Sequence, residues 1–166
     1  MDVRSEHIMI EDIKVGVYKL RENATIPKFA RDGDVCADLY TCEEVIIKPN
    51  TIELVRTGIA ILLSEGFEAQ IRSRSGLPLR HKVIVANGIG TVDSKYTDEV
   101  GVILLNLSNK TVVFESGTRI AQLAVRQVPV VEYNEVTEAE YKEACKFSRG
   151  GGFGSTGEKE IAELKK

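Results

Sequence analysis

Short runs of β-branched and aliphatic residues, separated by turn residues, recur along most of this chain. Such runs favour strands, and the Gly, Asn, Pro or charged residues between them favour turns. Many short strands at close spacing are typical of a sandwich, jelly roll or barrel. The sequence therefore predicts an all-β fold, with strands at residues 14–20, 44–48, 51–56, 59–63, 67–72, 82–86, 100–107, 111–115, 118–125 and 128–133.

Composition restricts the class of protein further. The chain has 166 residues, 43% of them hydrophobic, which is enough for one domain with an aliphatic core. Its net charge is -3, whereas a nucleic-acid-binding protein is usually basic, so we expect no nucleic-acid partner. No apolar run is long enough to span a bilayer, so we expect no membrane association. Three cysteines without a CxxC pair indicate reduced thiols in a cytoplasmic protein.

Turn and cap signals locate the remaining elements. Residues 108–110 and 116–117 predict hairpin turns between the later strands. Thr137 and Glu140 have capping-box spacing, which predicts the one clear helix, with Tyr141 on its apolar face. A brief helical turn is also expected near residues 77–80. We therefore expect a β core domain with its linker helix at 1–147, followed by a Gly-rich C-terminal arm and charged tail at 148–166.

The Gly-rich arm combines residue types that suit a phosphate. Glycines allow backbone N–H groups to approach phosphate oxygens, hydroxyl groups add donors, and an arginine fork matches phosphate geometry. An aromatic ring offers a face for a base. Composition alone indicates a disordered linker, but Arg149, Phe153, Ser155 and Thr156 together describe a flap over a nucleotide. A Walker A loop is disfavoured, because Glu158 stands where lysine is required.

Two central segments also carry candidate chemistry. Arg74 and Ser75 follow a predicted strand and could hold an oxyanion, although a plain surface loop has the same pattern. Residues 87–96 predict a hairpin with a small pocket, in which Asp93 could orient and deprotonate a water and Tyr96 could pack under a sugar. From these residues alone, a turn aspartate and a core tyrosine are the simpler interpretation.

Five segments in order resemble the five motifs of the trimeric dUTP pyrophosphatase (dUTPase) family. Each motif alone is weak, but five in the family's order make chance agreement very improbable. The resemblance covers most of the chain, from about residue 18 to residue 157. The segments are residues 36–40 (CADLY), 74–77 (RSGL), 87–96 (NGIGTVDSKY), 117–123 (GTRIAQL) and 152–157 (GFGSTG).

This resemblance implies a fold, a reaction and an assembly. The implied fold is jelly-roll-like, of the β-clip type. The implied reaction is Mg²⁺-assisted hydrolysis of dUTP to dUMP and pyrophosphate, in which water attacks the α-phosphorus. The implied assembly is a homotrimer with three shared active sites, each built from all three chains, with the arm reaching a neighbour's site.

The resemblance also implies residue roles. Asp38 would help to hold Mg²⁺ through water, Asp93 would be the catalytic residue that positions the attacking water, and Tyr96 would pack against the deoxyribose. The other implied substrate contacts are Arg74, Ser75, Gly76 and Gln122 near the phosphates; Asn87, Gly90, Thr91, Val92 and Gly101 around uracil; and Arg149, Phe153, Gly154, Ser155 and Thr156 in the flap.

Some positions depart from the family pattern. Thr97 and Asp98 replace an Arg-Gly pair, and Arg149 lies one residue too near Phe153, so Lys146 is an alternative γ-phosphate contact. Two other functions stay open at this point. One is a dCTP deaminase of the same fold, and the other is a regulatory role with a protein partner, added to the hydrolysis.

Overall fold

The computed structural model describes residues 13–148 and residue 150, and most of its regular structure is strand. The chain divides into two compact units, Met1–Val130 and Val131–Lys166, with all described strands in the first. The elements are β1 (Gly16–Lys19), β2 (Ala37–Tyr40), β3 (Val45–Ile47), β4 (Ile52–Arg56), β5 (Ile59–Leu62), β6 (Phe67–Arg72), α1 (Gly76–His81), β7 (Val83–Val85), β8 (Ile89–Asp93), β9 (Gly101–Asn106), β10 (Val112–Phe114), β11 (Arg119–Gln127) and α2 (Glu138–Cys145).

The strands pair mainly with partners that are distant in sequence. One sheet has the order β2-β11-β6-β8, and a second has the order β4-β9-β7. Two further pairs, β1 with β5 and β3 with β10, complete the first unit. All of these pairings are antiparallel. The long strand β11 lies between β2 and β6, so it brings the ends of these two strands together.

The core follows from the alternation of side chains along the strands. On β9, Val102 and Leu104 are buried, whereas Ile103 between them points outward. The same pattern on β4 buries Val55 and exposes Leu54. Successive side chains on a strand face opposite sides of the sheet, so each of these strands has one face in the core and one apolar face outside. Aliphatic residues dominate the core, as the composition predicts.

Several elements agree with the sequence prediction. Thr137 Oγ1 accepts a hydrogen bond from the Glu140 backbone N–H, and Glu140 Oε2 accepts from the Thr137 backbone N–H at 2.7 Å, so the predicted capping box is confirmed. The Thr137 hydroxyl also donates to Glu140 Oε2 at 2.7 Å, and the bonds from the Thr137 backbone and hydroxyl lower the pKa of Glu140. Helix α2 has no buried residue, and Tyr141 is exposed. The brief turn expected near residues 77–80 is a second helix, α1.

The predicted strand at residues 128–133 is wrong. Residues 128–136 have no regular structure, and the hydrogen bond from the Val128 N–H to the Gly66 carbonyl is the last that joins β11 to its surroundings. Conversely, β2 and the strand character of β8 were not predicted. Strand preference depends on what a segment pairs with and packs against, and local composition does not contain that information.

The predicted hairpin turns at 108–110 and 116–117 are turns, but they do not join paired strands. Strand β10 pairs with β3, and neither β9 nor β11 is its neighbour. The fully buried Asn106 gives a physical reason, since its amide donates to the carbonyls of Ile47 and Lys110, at 3.0 and 2.8 Å. This side chain ties the turn after β9 to the end of β3 and so directs β10 towards that strand.

Gly58 fixes the turn between β4 and β5. Its φ is +71°, and a Cβ added there would lie 2.9 Å from the Ala24 Cβ and 3.1 Å from the Cys42 Cβ. Both the conformation and the space therefore exclude a side chain. Burial also raises the pKa of the Cys42 thiol, which keeps it protonated within this contact.

We therefore expect Gly58→Ala to lower the free energy of unfolding by roughly 2–4 kcal/mol, the sum of a left-handed conformation and an overpacked contact. Urea unfolding at one fixed protein concentration measures this change. Gly66→Ala is the matched control, because Gly66 has a φ of +84° and nothing within 4 Å of its added Cβ. The control should cost only about 1–2 kcal/mol. Equal losses in the two variants would contradict the packing explanation.

Candidate active site

A first cavity of about 310 Å³ lies between β8 and β9, and we call it the β8–β9 cavity. It contains seven of the residues predicted around the nucleoside: Asn87, Gly90, Thr91, Val92, Asp93, Tyr96 and Gly101. An apolar wall from neighbouring strands and the Glu99–Val100 segment complete it: Leu54, Ile71, Val85, Glu99, Val100 and Ile103. Backbone of two strands and a few polar side chains thus face one open-sided cavity.

The two strands beside this cavity are not paired with each other. Strand β8 pairs with β6, and β9 pairs with β4 and β7. The pairing of β7 with β9 ends at Val85 and Leu104, followed by one bond from the Ala86 N–H to the Ile103 carbonyl. The predicted hairpin at 87–96 is therefore wrong as a paired ladder. Its arms separate, and the edges that would have paired line the cavity.

Asp93 and Tyr96 lie at the mouth of the cavity. Asp93 ends β8 and is exposed, and its carbonyl accepts a hydrogen bond from the Tyr96 N–H at 3.1 Å. The Tyr96 hydroxyl donates to the Glu99 carbonyl at 2.9 Å. Deeper in the cavity, Gly90 is buried beneath the side chain of Asn87, and an added Cβ would lie 3.2 Å from Asn87 Nδ2. The Asn87 side chain therefore covers the β8 backbone at Gly90.

A second cavity of about 480 Å³ has a different character, and we call it the arginine cavity. It contains five predicted residues, namely Asp38, Arg74, Ser75, Gly76 and Gln122. It also contains residues to which the sequence analysis gave no role: Ala30, Arg31, Asp34, Val35, Cys36 and Arg119. Three guanidinium groups and two carboxylates line it, so it carries a net positive charge and suits an anion.

Strand pairing explains how these distant residues meet. Gln122 on β11 lies opposite Asp38 on β2 and opposite Arg72 on β6, just before Arg74. The Gln122 amide donates to the Ser73 carbonyl at 3.1 Å, which fixes the chain that leads into Arg74. Sequence order separates these segments widely, but the position of β11 between β2 and β6 brings them to one place.

The carboxylate of Asp38 organises the arginine cavity. This residue is buried, and its side chain accepts from Arg74 Nε at 2.7 Å and from Arg119 Nη1 at 3.3 Å. Arg74 also donates to the Arg119 carbonyl at 3.3 Å. Hydrogen-bonded ion pairs of this kind hold guanidinium groups in defined orientations. The contacts place two cations at fixed positions in the cavity wall.

The predicted site residues therefore fall into two separate groups. No residue lines both cavities, and each cavity contains only part of the predicted set. The five predicted flap residues, Arg149, Phe153, Gly154, Ser155 and Thr156, lie outside the described residues. Lys146 is described, follows α2, and forms an ion pair with Glu143.

Sequence reasoning missed four charged residues that the structure places at these cavities: Arg31, Asp34, Glu99 and Arg119. Arg119 lies in the fourth motif but received no role, although its contact with Asp38 follows from the pairing of β11 with β2. Arg31 lies in an irregular loop with no recognisable signal. Glu99 lies three residues after Tyr96, and its partners Arg56 and Gly58 are more than 40 residues away, so local sequence could not reveal its contacts.

Comparison with known proteins defines the family. The dUTPase family model matches residues 22–157. The deoxyuridine 5'-triphosphate nucleotidohydrolase of Hydrogenobaculum sp. is 50% identical over 149 residues, which cover 89% of this chain and 100% of that protein. The enzyme of the same name from Helicobacter pylori strain J99 is 45% identical over 146 residues, covering 87% and 97%.

Solved structures support the fold. A Staphylococcus bacteriophage 80alpha dUTPase variant with dUpNHpp has a TM-score of 0.77 at 22% identity, covering 87% of this chain and 98% of its own. A dUTPase variant from phage phi11 of S. aureus, described for its coordination of a structural Mg(II) ion, has a TM-score of 0.71 at 21% identity and covers 75% and 97%. The predicted all-β, jelly-roll-like fold is thereby confirmed. With a family model that spans most of its length and relatives up to 50% identical, this chain belongs to the dUTPase family.

Proposed function

We propose that this chain hydrolyses dUTP to dUMP and pyrophosphate, and so keeps uracil nucleotides out of DNA synthesis. The observation that carries the proposal is that a chain of this family has one cavity edged by strand backbone and another lined by arginines. The first suits a base and sugar, and the second suits a triphosphate. Three free thiols, at Cys36, Cys42 and Cys145, support a cytoplasmic location.

The β8–β9 cavity supplies the means to select uracil. Backbone N–H and C=O groups at the free edge of β8 have fixed positions, because β6 holds the other edge of that strand. A base whose donors and acceptors match them is accepted, whereas a mismatched exocyclic group leaves buried polar groups unpaired, at about 1–3 kcal/mol each. Asn87, Thr91 and Val92 surround this edge. Glycine at positions 90 and 101 lets Asn87 and Leu54 pack closely against the two strands, since an added Cβ would lie 3.2 and 2.7 Å from them.

The arginine cavity supplies charge for the phosphates. Arg74, Ser75 and Gly76 form the turn into α1, next to Gln122 on β11. A guanidinium fork and backbone donors together favour phosphate oxygens. Because Asp38 already orients Arg74 and Arg119, these cations need little rearrangement when an anion arrives. The flap residues Arg149, Phe153, Gly154, Ser155 and Thr156 are proposed to close over the nucleotide, with Arg149 or Lys146 at the γ-phosphate.

A homotrimer joins the two kinds of cavity. In one chain the two cavities are separate. The outer face of the β4-β9-β7 sheet exposes Ile52, Leu54 and Ile103. Leu54 lies opposite Ile103, and Ile52 lies opposite Leu105. A contiguous exposed apolar surface marks an interface. Since Leu54 and Ile103 also line the β8–β9 cavity, a second copy seated here would close that cavity. We propose that the arginine cavity of one chain then faces the β8–β9 cavity of the next.

Replacement of Ile52 tests this interface. We expect Ile52→Glu to shift the protein from trimer towards monomer in sedimentation velocity, because three carboxylates would be buried against apolar side chains. Ile46→Glu is the matched control, since Ile46 is exposed to a similar extent on β3, whose sheet lines neither cavity. An Ile52→Glu protein that remains trimeric at micromolar concentration would contradict the assignment of this face.

The residues of the arginine cavity fit Mg²⁺ held through water. Mg²⁺ usually keeps several waters and takes its other ligands from one or two carboxylates and from phosphates. Asp38 is the carboxylate that would hold it, because a carboxylate has about four acceptor positions and the two arginines use two. When bound with the nucleotide, Mg²⁺ would neutralise phosphate charge.

The chemical step then needs alignment and one proton acceptor. Asp93 is exposed at the mouth of the cavity, where its carboxylate can accept the proton of a water directed at the α-phosphorus. The new P–O bond forms as the bond to the bridging oxygen of the β-phosphate breaks. Pyrophosphate leaves with that electron pair, and dUMP retains the water oxygen. Tyr96 packs against the deoxyribose and keeps the sugar in line.

A pyrophosphate-release assay across dUTP, dCTP, dATP, dGTP, dTTP and UTP tests the proposed function. We expect turnover of dUTP at least about a hundredfold above that of any other nucleotide, from the combined polar and steric mismatches. Conversion of dCTP to dUTP with dUTP left intact would instead identify a deaminase, a reading that no comparison supports. Control of virulence-gene transfer is described for the dUTPase of Staphylococcus bacteriophage 80alpha, and that description applies to the phage protein.

Among the described residues, no helix has the length and apolar character needed to cross a bilayer.

A further inference from the structure

We propose that Glu99 is a positioning residue which holds the sugar side of the β8–β9 cavity, and that it thereby sets the preference for dUTP over UTP. The inference rests on the proposed hydrolysis of dUTP and adds a residue to it. Glu99 lines the cavity, but its carboxylate is turned towards a different part of the fold. Its contacts connect the sugar wall to the turn between β4 and β5.

The Glu99 carboxylate bridges two groups of that turn. One oxygen accepts from the Gly58 backbone N–H at 2.8 Å, and the other accepts from Arg56 Nη1 at 2.7 Å. The Glu99 side chain is 18% exposed, so water competes only weakly for these bonds. The bond to Glu99 also raises the pKa of the Arg56 guanidinium. Gly58 has its own fixed position, because its conformation and its contact with Ala24 tolerate no side chain.

The backbone of Glu99 holds the ring of Tyr96. Tyr96 is 42% exposed, so packing alone does not determine where its ring lies. Its position depends on two hydrogen bonds, one from its N–H to the Asp93 carbonyl and one from its hydroxyl to the Glu99 carbonyl. Because the second bond ends on the Glu99 carbonyl, the position of the ring depends on the position of Glu99. The carboxylate contacts therefore determine the ring position indirectly.

Further bonds fix the chain that leads from Glu99 into β9. The Val100 N–H donates to the Ile59 carbonyl at 2.8 Å, and the Val100 carbonyl accepts from the Thr57 hydroxyl. Gly101 then pairs with Arg56 at the end of β4. The segment 56–59 thus holds both the loop that carries Tyr96 and the beginning of β9. Among the described residues of this loop, Glu99 alone has a side chain that hydrogen-bonds to segment 56–59.

A ribose differs from a deoxyribose by one hydroxyl oxygen. A cavity wall can exclude that oxygen only if the wall cannot move by a fraction of the oxygen's diameter, because well-packed sites discriminate between ligands by small distances. When the Glu99 carboxylate is lost, the loop keeps its turn at Asp93 and the backbone bonds of Val100, but it loses its two side-chain contacts with Arg56 and Gly58. We therefore expect the wall to move and UTP to be admitted.

The test compares kcat/KM for dUTP and UTP in the full-length protein by pyrophosphate release. Glu99→Ala should lower the ratio of the dUTP value to the UTP value at least about tenfold, mainly because the value for UTP rises. Glu99→Gln keeps an acceptor for the Gly58 N–H but loses the contact with Arg56, so its ratio should lie between those of the wild type and Glu99→Ala. Arg56→Met removes one contact and should give an intermediate ratio. Amide hydrogen exchange at Gly58 should rise in Glu99→Ala and change little in Glu99→Gln.

Glu65→Gln is the matched control, because Glu65 pairs with Lys95 of the same loop at 3.2 Å but both side chains are more than 80% exposed. Its ratio should equal that of the wild type. Equal losses for dUTP and UTP in Glu99→Ala would overturn the inference and leave only a structural role. If that variant does not fold, an unchanged ratio in Arg56→Met overturns it. A wild-type protein inactive on dUTP would overturn the proposed function and this inference together.

Discussion

Asp93→Asn is expected to lower kcat for dUTP by about 10²–10⁴-fold, the usual contribution of a positioned general base. Asparagine has the shape of aspartate but cannot take a proton from water at neutral pH. Asp93 lies at the mouth of the β8–β9 cavity and makes no ion pair among the described residues, so its replacement should leave the fold and the nucleotide affinity largely intact. Single-turnover kinetics together with dUTP binding by calorimetry separate the two effects.

Glu68→Gln controls for the loss of a charge at the same level of the sheet. Glu68 lies opposite Asp93 in the β6–β8 pairing, but it does not line the cavity. Its replacement should change kcat by no more than a few-fold. Wild-type turnover in Asp93→Asn would remove Asp93 from the role of base, and a parallel fall in dUTP affinity would assign it to binding instead.

Two inactive variants are expected to restore activity when they assemble together. Arg74→Gln should lower kcat on the order of a hundredfold, as expected for a lost donor to the phosphates. Mixed trimers of Arg74→Gln and Asp93→Asn contain sites in which Arg74 comes from one chain and Asp93 from the other. Because the three sites each join two neighbouring chains, about one site in three is intact in every mixed trimer. Coexpression with two affinity tags and purification through both measures the turnover of the mixed trimers.

The matched control mixes two variants of the same cavity. Asp93 and Tyr96 both line the β8–β9 cavity, so trimers of Asp93→Asn with Tyr96→Ala contain no chain that supplies both residues. These trimers should remain as inactive as the parents. A failure of Arg74→Gln with Asp93→Asn to recover turnover, in trimers shown to be mixed, would mean that one chain supplies both residues and would contradict the shared site.

Local sequence predicted the elements whose signals are local. The Thr137–Glu140 capping box, and strands such as β4, β6 and β9, follow from spacing and alternation within one segment. The segment at 128–133 is also rich in β-branched residues, but it contains Pro129 and pairs with no strand in the described part of the chain. Pairing order is a property of the whole chain, and it determines which of two similar runs becomes a strand.

The site was predicted as residue types but not as a geometry. Asp38, Arg74 and Gln122 meet only because β11 lies between β2 and β6, and no local pattern encodes that position. Likewise, nothing near Glu99 in sequence indicates its contacts with Arg56 and Gly58. The sequence also could not predict that these residues divide between two cavities, because the order of the motifs does not show which motifs lie together in one folded chain.

The exposed Ile52, Leu54 and Ile103 of the β4-β9-β7 sheet have a consequence for gene dosage. On the proposed assembly, a solitary chain holds unmatched halves of a catalytic centre, and only encounters between copies complete one. The hydrolytic activity per chain would then fall when expression is low, and the total activity would rise more steeply than the concentration of the chain. A fall in protein concentration would therefore stop the reaction while many chains are still present in the cell.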